Sequence, residues 1–213
     1  MTSERKFSTI NANQQLHSKL AMQYEADEPH FKSENREKVR VRLSEVARLT
    51  DPCRTMIDFG CGTGFLEELA PSEIEVIYGV DVTEAMLDIL RNKVIPRLRI
   101  IAAPVEDVPL PDRIADLVTG YSVLDHFGDP NLVFREAARL LRPGGVLYMD
   151  LLPNEEFWRG VRSIGRNRTN LSAIVEREVS EVASHGEKMF NLYGVSREVL
   201  AAAEPHKIGR AHV

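Results

Sequence analysis

Cysteine is nearly absent from this chain: two residues, Cys53 and Cys61, among 213. They supply neither a disulfide framework nor the paired spacing of a metal site, so no metal is expected. Long apolar runs are missing too. None approaches the roughly 18 residues that a membrane span needs. The polar N-terminus MTSERKFSTINANQQLHSK lacks the apolar core, roughly 7–15 residues long, of a signal peptide. A cytoplasmic protein without a membrane span is the expectation. Positive charge is not in excess either: 27 Lys and Arg face 32 Asp and Glu, for a net charge of −5. A nucleic-acid binder usually carries a basic balance, so no specific nucleic-acid partner is expected. Repeats, low-complexity tracts and linker-like stretches are lacking as well. That leaves one domain over residues 1–207, long enough to bury a substantial core, with the oligomeric state unspecified.

What the chain does have is one punctuated stretch, MIDFGCGTGFL, from Met56 to Leu66. A short apolar run reaches an acid, Asp58, and breaks into three glycines, Gly60, Gly62 and Gly64. Apolar residues resume at Phe65, Leu66 and Leu69 with helical spacing. A strand, a tight turn and a helix in that order gather backbone N–H groups around one small volume, which suits an anionic or nucleotide-like ligand.

The flanking sequence repeats the alternation. An amphipathic helix is expected from Ser33 to Thr50, with Val39, Leu43, Val46 and Leu49 on one face. Strands are expected at Arg54–Asp58, Val76–Asp81, Leu98–Ala102, Ala115–Tyr121 and Val146–Leu151. Helices are expected at Phe65–Leu69, after Thr83 as N-cap, and after Asp129-Pro130, the last stopping at Arg142-Pro143-Gly144-Gly145. Five strands alternating with helices predict a mostly parallel sheet covered on both faces. Ligands of such sheets bind beyond the carboxyl ends of the strands, where Asp58, Asp81, the 103–107 loop and Tyr121 all fall. Beyond Leu152 a helix is expected over Glu155–Ile164 and another over Ser196–Ala203 with Ser196 as cap. Ile174–Val182 fits strand and helix alike.

The glycine spacing discriminates between cofactors. A dinucleotide fingerprint needs G-x-G-x-x-G, whereas here the third glycine comes one residue early and Phe65 occupies the fingerprint position. The pattern D-x-G-x-G-x-G resembles that of class I S-adenosylmethionine-dependent methyltransferases, and further motifs follow in that family's order from about Tyr24 to Leu152. The implied fold is α/β, a Rossmann-like three-layer sandwich with a mostly parallel central sheet. The resemblance implies S-adenosyl-L-methionine as methyl donor. It places Asp58, Gly60, Gly62 and Gly64 at the methionine part, Asp81 on the ribose hydroxyls, and Val82 and Met86 against the adenine or its sugar. Val105 and Glu106 of the loop APVEDVP fall at the adenine, although Pro104 stands where the family often has Asp. Tyr24 resembles an aromatic that closes over the cofactor, and Tyr121 ends the fourth strand beside it.

The segment YSVLDHF, Tyr121–Phe127, resembles the family's L-H-H-L ending at the site of methyl transfer. His126 is the natural general base near neutral pH, with Asp125 its neighbour; a histidine that only caps the loop is the competing role. No N-P-P-Y segment is present and no Pro-Cys follows the fourth strand, which disfavours nucleobase methylation. The implied reaction is transfer to a small or medium-sized acceptor, at oxygen or nitrogen before carbon. A non-catalytic S-adenosylmethionine-binding subunit and an NAD-type oxidoreductase are the alternatives. Arg159, Arg162 and Arg166, with Arg168 nearby, make a basic stripe that would suit an acidic or phosphorylated acceptor; a solvated helix face is the favoured reading. Residues 1–50 are expected to form an N-terminal helical cap, 54–152 the cofactor-binding core, and 153–207 a substrate-side region. The last six residues, IGRAHV (208–213), match one frame of a common sequencing-adapter oligonucleotide. They are expected to be a non-native tail, with a C-terminal strand open to loss before it.

Overall fold

The computed structural model describes residues 3–151 and 173–204. Its centre is a five-stranded sheet of β1 (Thr55–Phe59), β2 (Val76–Asp81), β3 (Leu98–Ala102), β4 (Ala115–Tyr121) and β5 (Leu141–Asp150). The order is β3-β2-β1-β4-β5 and every pairing is parallel. Parallel strands need crossover connections, and the helices that make them cover the sheet. The chain direction reverses its strand order between β1 and β4, which opens a crevice above the carboxyl ends of those two strands.

The sheet splits two apolar layers by the alternation of its side chains. Met56, Ile77 and Leu117 join Val39 and Leu43 of α3 (Ser33–Ala47) and Leu66 and Leu69 of α4 (Phe65–Leu69) on one face. Ile57, Phe59, Val80 and Val118 meet Val133, Ala137 and Leu140 of α6 (Pro130–Leu140) on the other. Between them α5 (Glu84–Arg91) buries Leu87 and Leu90 against Cys61. At the opposite end from the crevice, the Asp116 carboxylate accepts from the N–H groups of Arg54 and Thr55, at 2.8 and 2.9 Å, and pairs with Arg142. This fixes the start of β1 against β4.

Most expected elements are present, with four differences. Within the expected N-terminal helical cap stands a long helix whose bounds the sequence did not mark, α1 (Ser3–Leu20), followed by one turn, α2 (Tyr24–Asp27). β5 begins at Leu141 rather than at Val146, because its register shifts between Ala115 and Leu117 and absorbs the Arg142–Gly145 segment as an irregularity. Thr83 occupies the N-cap position of α5 but its hydroxyl makes no cap bond. The undecided stretch around Ile174–Val182 is helical, within α7 (Ala173–Tyr193), and α8 (Arg197–Ala203) follows with Ser196 accepting from the Val199 N–H. The helix expected over Glu155–Ile164, the Arg159–Arg168 stripe and the 208–213 tail lie outside the described residues.

α1, α7 and α8 share a separate apolar cluster of Ala12, Leu16, Met189, Val195, Leu200 and Ala203. The two ends of the described chain thus meet in a helical cover over the crevice. Side chains of α1 tie it down: Gln14 Nε2 donates to the Val82 carbonyl and Asn13 Nδ2 to the His126 carbonyl, each at 2.9 Å.

Candidate active site

The glycine turn is locked to the end of β2. The N–H groups of Gly60 and Cys61 both donate to the Val80 carbonyl, at 2.8 and 3.0 Å. Gly60, Gly62 and Gly64 have φ of 69°, 52° and 97°, a region that L side chains occupy at a cost. A Cβ on Gly60 would lie 2.3 Å from Val123 Cγ2, and one on Gly64 2.4 Å from Leu90 Cδ1. At Gly62 a Cβ would meet no atom within 4 Å. Its space belongs to the cavity.

That cavity takes in about 730 Å³ of empty space, part of it at an open mouth. Ten of the residues expected in the site line it: Tyr24, Gly60, Gly62, Asp81, Val82, Met86, Val105, Glu106, Tyr121 and His126. The Asp81 carboxylate is held by two backbone donors. One oxygen accepts from Gly62 N–H at 2.9 Å and the other from Thr83 N–H at 2.7 Å. Each oxygen keeps a lone pair for a ligand hydroxyl.

Three expected residues stand elsewhere. Asp58 lies under the turn, 2% exposed, and its carboxylate accepts a 2.6 Å bond from the Thr119 hydroxyl. Burial pushes its pKa up to about 7. Beside it Glu67, 1% exposed, has its pKa pushed well above the ordinary carboxylate range by burial and then by the Asp58 charge. As placed, Asp58 supports the loop from below; the expected contact with the donor's amino group is not among the cavity surfaces. Gly64 turns the chain against Leu90 and does not face the cavity either. Asp125 is buried on the Nε2 side of His126, its Oδ1 3.7 Å from that nitrogen.

His126 is held by the cover. Its Nδ1 lies 3.2 Å from the Ala203 carbonyl oxygen, which can only accept, so Nδ1 carries the hydrogen and Nε2 is the free base. Burial pushes the Tyr121 hydroxyl up to about 12 and holds Tyr24 well above the ordinary tyrosine range. Both stay neutral. The cavity wall also includes Thr9, Ile10, Asn13 and His17 of α1, with Pro104, Ser122 and Val123. Ser122 has φ of 53°, an uncommon conformation for a residue with a side chain. The α1 residues carried no sequence signal, because the buried face of that helix mixes Asn13 with Ala12 and Leu16 and shows no apolar stripe.

A family model described as a methyltransferase domain matches residues 57–149. Over those residues the chain is similar to the class I S-adenosylmethionine-dependent methyltransferases. The match runs from β1 through the turn to the end of β5. A probable S-adenosylmethionine-dependent methyltransferase of Mycolicibacterium smegmatis is 34% identical over 137 residues, which are 63% of this chain and 52% of that protein. A ubiquinone biosynthesis O-methyltransferase of Coxiella burnetii is 28% identical over 116 residues, 53% of this chain and 50% of its own length. The chain therefore spans about half the length of these curated relatives. Among solved structures, the [4+2]-cyclase SpnF superposes with a TM-score of 0.56 at 19% identity, over 93% of this chain and 88% of that one. A likeness at that identity concerns the fold, not the reaction. Among the described residues no helix is long and apolar enough to cross a membrane.

Proposed function

We propose that this protein moves the methyl group of S-adenosylmethionine to a hydroxyl or amino group of a small acceptor. The observation that carries the reading is the Asp81 carboxylate, pinned by Gly62 and Thr83 N–H at the cavity wall beside the open Cβ position of Gly62. These residues fit the donor: a carboxylate with two free lone pairs suits a ribose diol, and the unfilled space at Gly62 admits close approach of backbone to ligand. Val82 and Met86 offer apolar surface next to Asp81 for the nucleoside, with Val105 and Glu106 on the facing loop.

When bound, the donor supplies a methyl carbon on a positively charged sulfur; the acceptor lone pair forms the new bond to that carbon as the carbon–sulfur pair returns to sulfur. The chain's own contribution is position and a proton sink. Cavity walls from the core and from α1 hold the reactants in one volume, and orientation of this kind supplies much of the rate. His126 Nε2 takes the proton that a hydroxyl or amine must lose, and Asp125 at 3.7 Å stabilises the imidazolium so formed. No Lys or Arg lines the cavity among the described residues. The acidic or phosphorylated acceptor suggested by Arg159–Arg168, which lie outside the described residues, is not carried forward.

Calorimetry with S-adenosylmethionine and with NAD tests the first half of the proposal. Micromolar binding of the former and none of the latter is expected, and a preference for NAD would overturn it. Release of S-adenosylhomocysteine in the presence of an acceptor library tests the second half. Tight donor binding without turnover across hydroxyl and amine acceptors would leave a binding subunit.

A further inference from the structure

His17 has no role in the reading above, and its surroundings are as constrained as those of His126. Its ring meets the His126 ring edge to face, 4.8 Å between centroids. Nδ1 lies 3.1 Å from the carbonyl oxygen of Asn13, one helical turn earlier. A carbonyl only accepts, so Nδ1 of His17 is the donor and Nε2 keeps its lone pair. The Ala203 carbonyl fixes His126 in the same tautomer. Both imidazoles line the cavity, one from α1 and one from the loop after β4.

The charges around the pair are negative. Asp81 and Glu204 both act on His17 through their charge. Asp125 stands beside His126, and Glu106 shares the cavity wall. The Tyr24 ring, 6.3 Å from that of His17, is neutral. We infer that His17 and His126 together form the acceptor seat, and that this seat selects a neutral or cationic hydrogen-bond donor, a hydroxyl or an amine, against carboxylates and phosphates. The inference rests on the methyl-transfer reading and names the acceptor class within it.

The two rings divide the work. Burial, and then the neighbouring His126, push the His17 pKa down to about 4. His17 is therefore neutral at neutral pH and can only accept a hydrogen bond there through Nε2. His126, next to Asp125, is the ring that takes the proton. An anionic acceptor would meet two lone pairs and several carboxylates, an arrangement that rejects it.

The test uses the full chain loaded with S-adenosylhomocysteine and four probes of similar size: phenol, benzylamine, benzoate and phenyl phosphate. Ligand-observed NMR ranks their affinities. Phenol and benzylamine should bind at least about fivefold more tightly than the two anions, the worth of one hydrogen bond. His17→Leu, which keeps bulk and loses the acceptor nitrogen, should weaken phenol binding about fivefold, the worth of that one bond, whereas His17→Gln, with an acceptor oxygen, should retain part of it. Ring nitrogen spectra of the unmodified protein should show Nδ1–H at both histidines. Tighter binding of benzoate or phenyl phosphate would overturn the inference, as would no binding of phenol and benzylamine. Equally adverse would be phenol affinity unchanged by His17→Leu, or an Nε2–H tautomer at His17. Failure to load S-adenosylhomocysteine at all is a separate result, which removes the methyl-transfer reading and this one with it.

Discussion

The sheet core and the helical cover are built to different standards. The core buries two apolar layers whose strands are paired along their length, and its turn residues are fixed by backbone bonds to β2. The cover has one small cluster, drawn from residues at both ends of the described chain. It is tied to the core by a few side-chain bonds from Asn13 and Gln14 and by the His126–Ala203 contact. On the proposed function, the donor half of the cavity stands on the first region and the α1 part of the acceptor half on the second. Such a division lets the cover open locally at a free energy below that of global unfolding, which is one way for an acceptor to enter a site already holding its donor.

One substitution in each region tests whether the regions are as separate as this implies. Phe59, fully buried in β1, is predicted to cost about 3–5 kcal/mol of global stability when changed to Ala, through lost packing and the cavity left behind. Urea unfolding measures it; a loss below about 1 kcal/mol would mean that the sheet centre collapses to fill the gap. Leu16, 1% exposed in the cover cluster, should cost about 2–4 kcal/mol as Ala, but locally. Hydrogen exchange should show lost protection in α1, α7 and α8 with the strands unchanged. Equal loss in the β1 and β4 amides would make core and cover one cooperative unit.

A smaller effect separates the halves of the cavity. Asp81→Asn should weaken S-adenosylhomocysteine binding by about 1–3 kcal/mol, for loss of charge-assisted bonds, while exchange protection in the cover stays as it was. Unchanged affinity in calorimetry would put the ribose elsewhere.

The same contrast governs what the sequence makes legible. β2, β3 and β4 have the expected boundaries because each is a short apolar run closed by Asp81, Ala102 or Tyr121, and the pattern is local. The turn and its ten cavity residues are legible for a similar reason: φ above zero calls for glycine, and the family order does the rest. Asp58 is different. An acid at a strand end looks the same in sequence whether it faces a ligand or lies beneath the loop, and only the Thr119 bond distinguishes them. α1 is hidden because its buried polar residue Asn13 bonds a group far along the chain, the His126 carbonyl. β5 starts early because a register shift carries the Pro143-Gly144 signal inside a strand, where local rules read a stop.

The smallest prediction concerns the seam between the regions. His30 is buried, 7% exposed, among the rings of Tyr24, Phe31, Phe65 and Tyr121, so it touches α2, α4 and β4 at once. Burial pushes its pKa down to about 4 from the ordinary 6.5, and the Glu28 carboxylate 3.7 Å away is the acid that faces it. In the unfolded chain the ring takes a proton as pH falls through 6.5, whereas the native ring resists until about 4. The unfolded state therefore binds more protons across that window, and stability must fall as pH falls, being complete above the unfolded value. His30→Phe keeps a ring of similar bulk and removes the titration, while Asp58, Glu67 and His17 titrate alike in both proteins and cancel in the difference. From about pH 7 to about pH 4.5 the unmodified protein should lose about 1–2 kcal/mol more than the variant. Parallel urea midpoints at the two pH values would show that the ring is solvated after all. Should the loss appear in exchange of α1 and α2 amides before those of β4, protonation opens the seam and the cover moves first; a simultaneous loss would place His30 within the core.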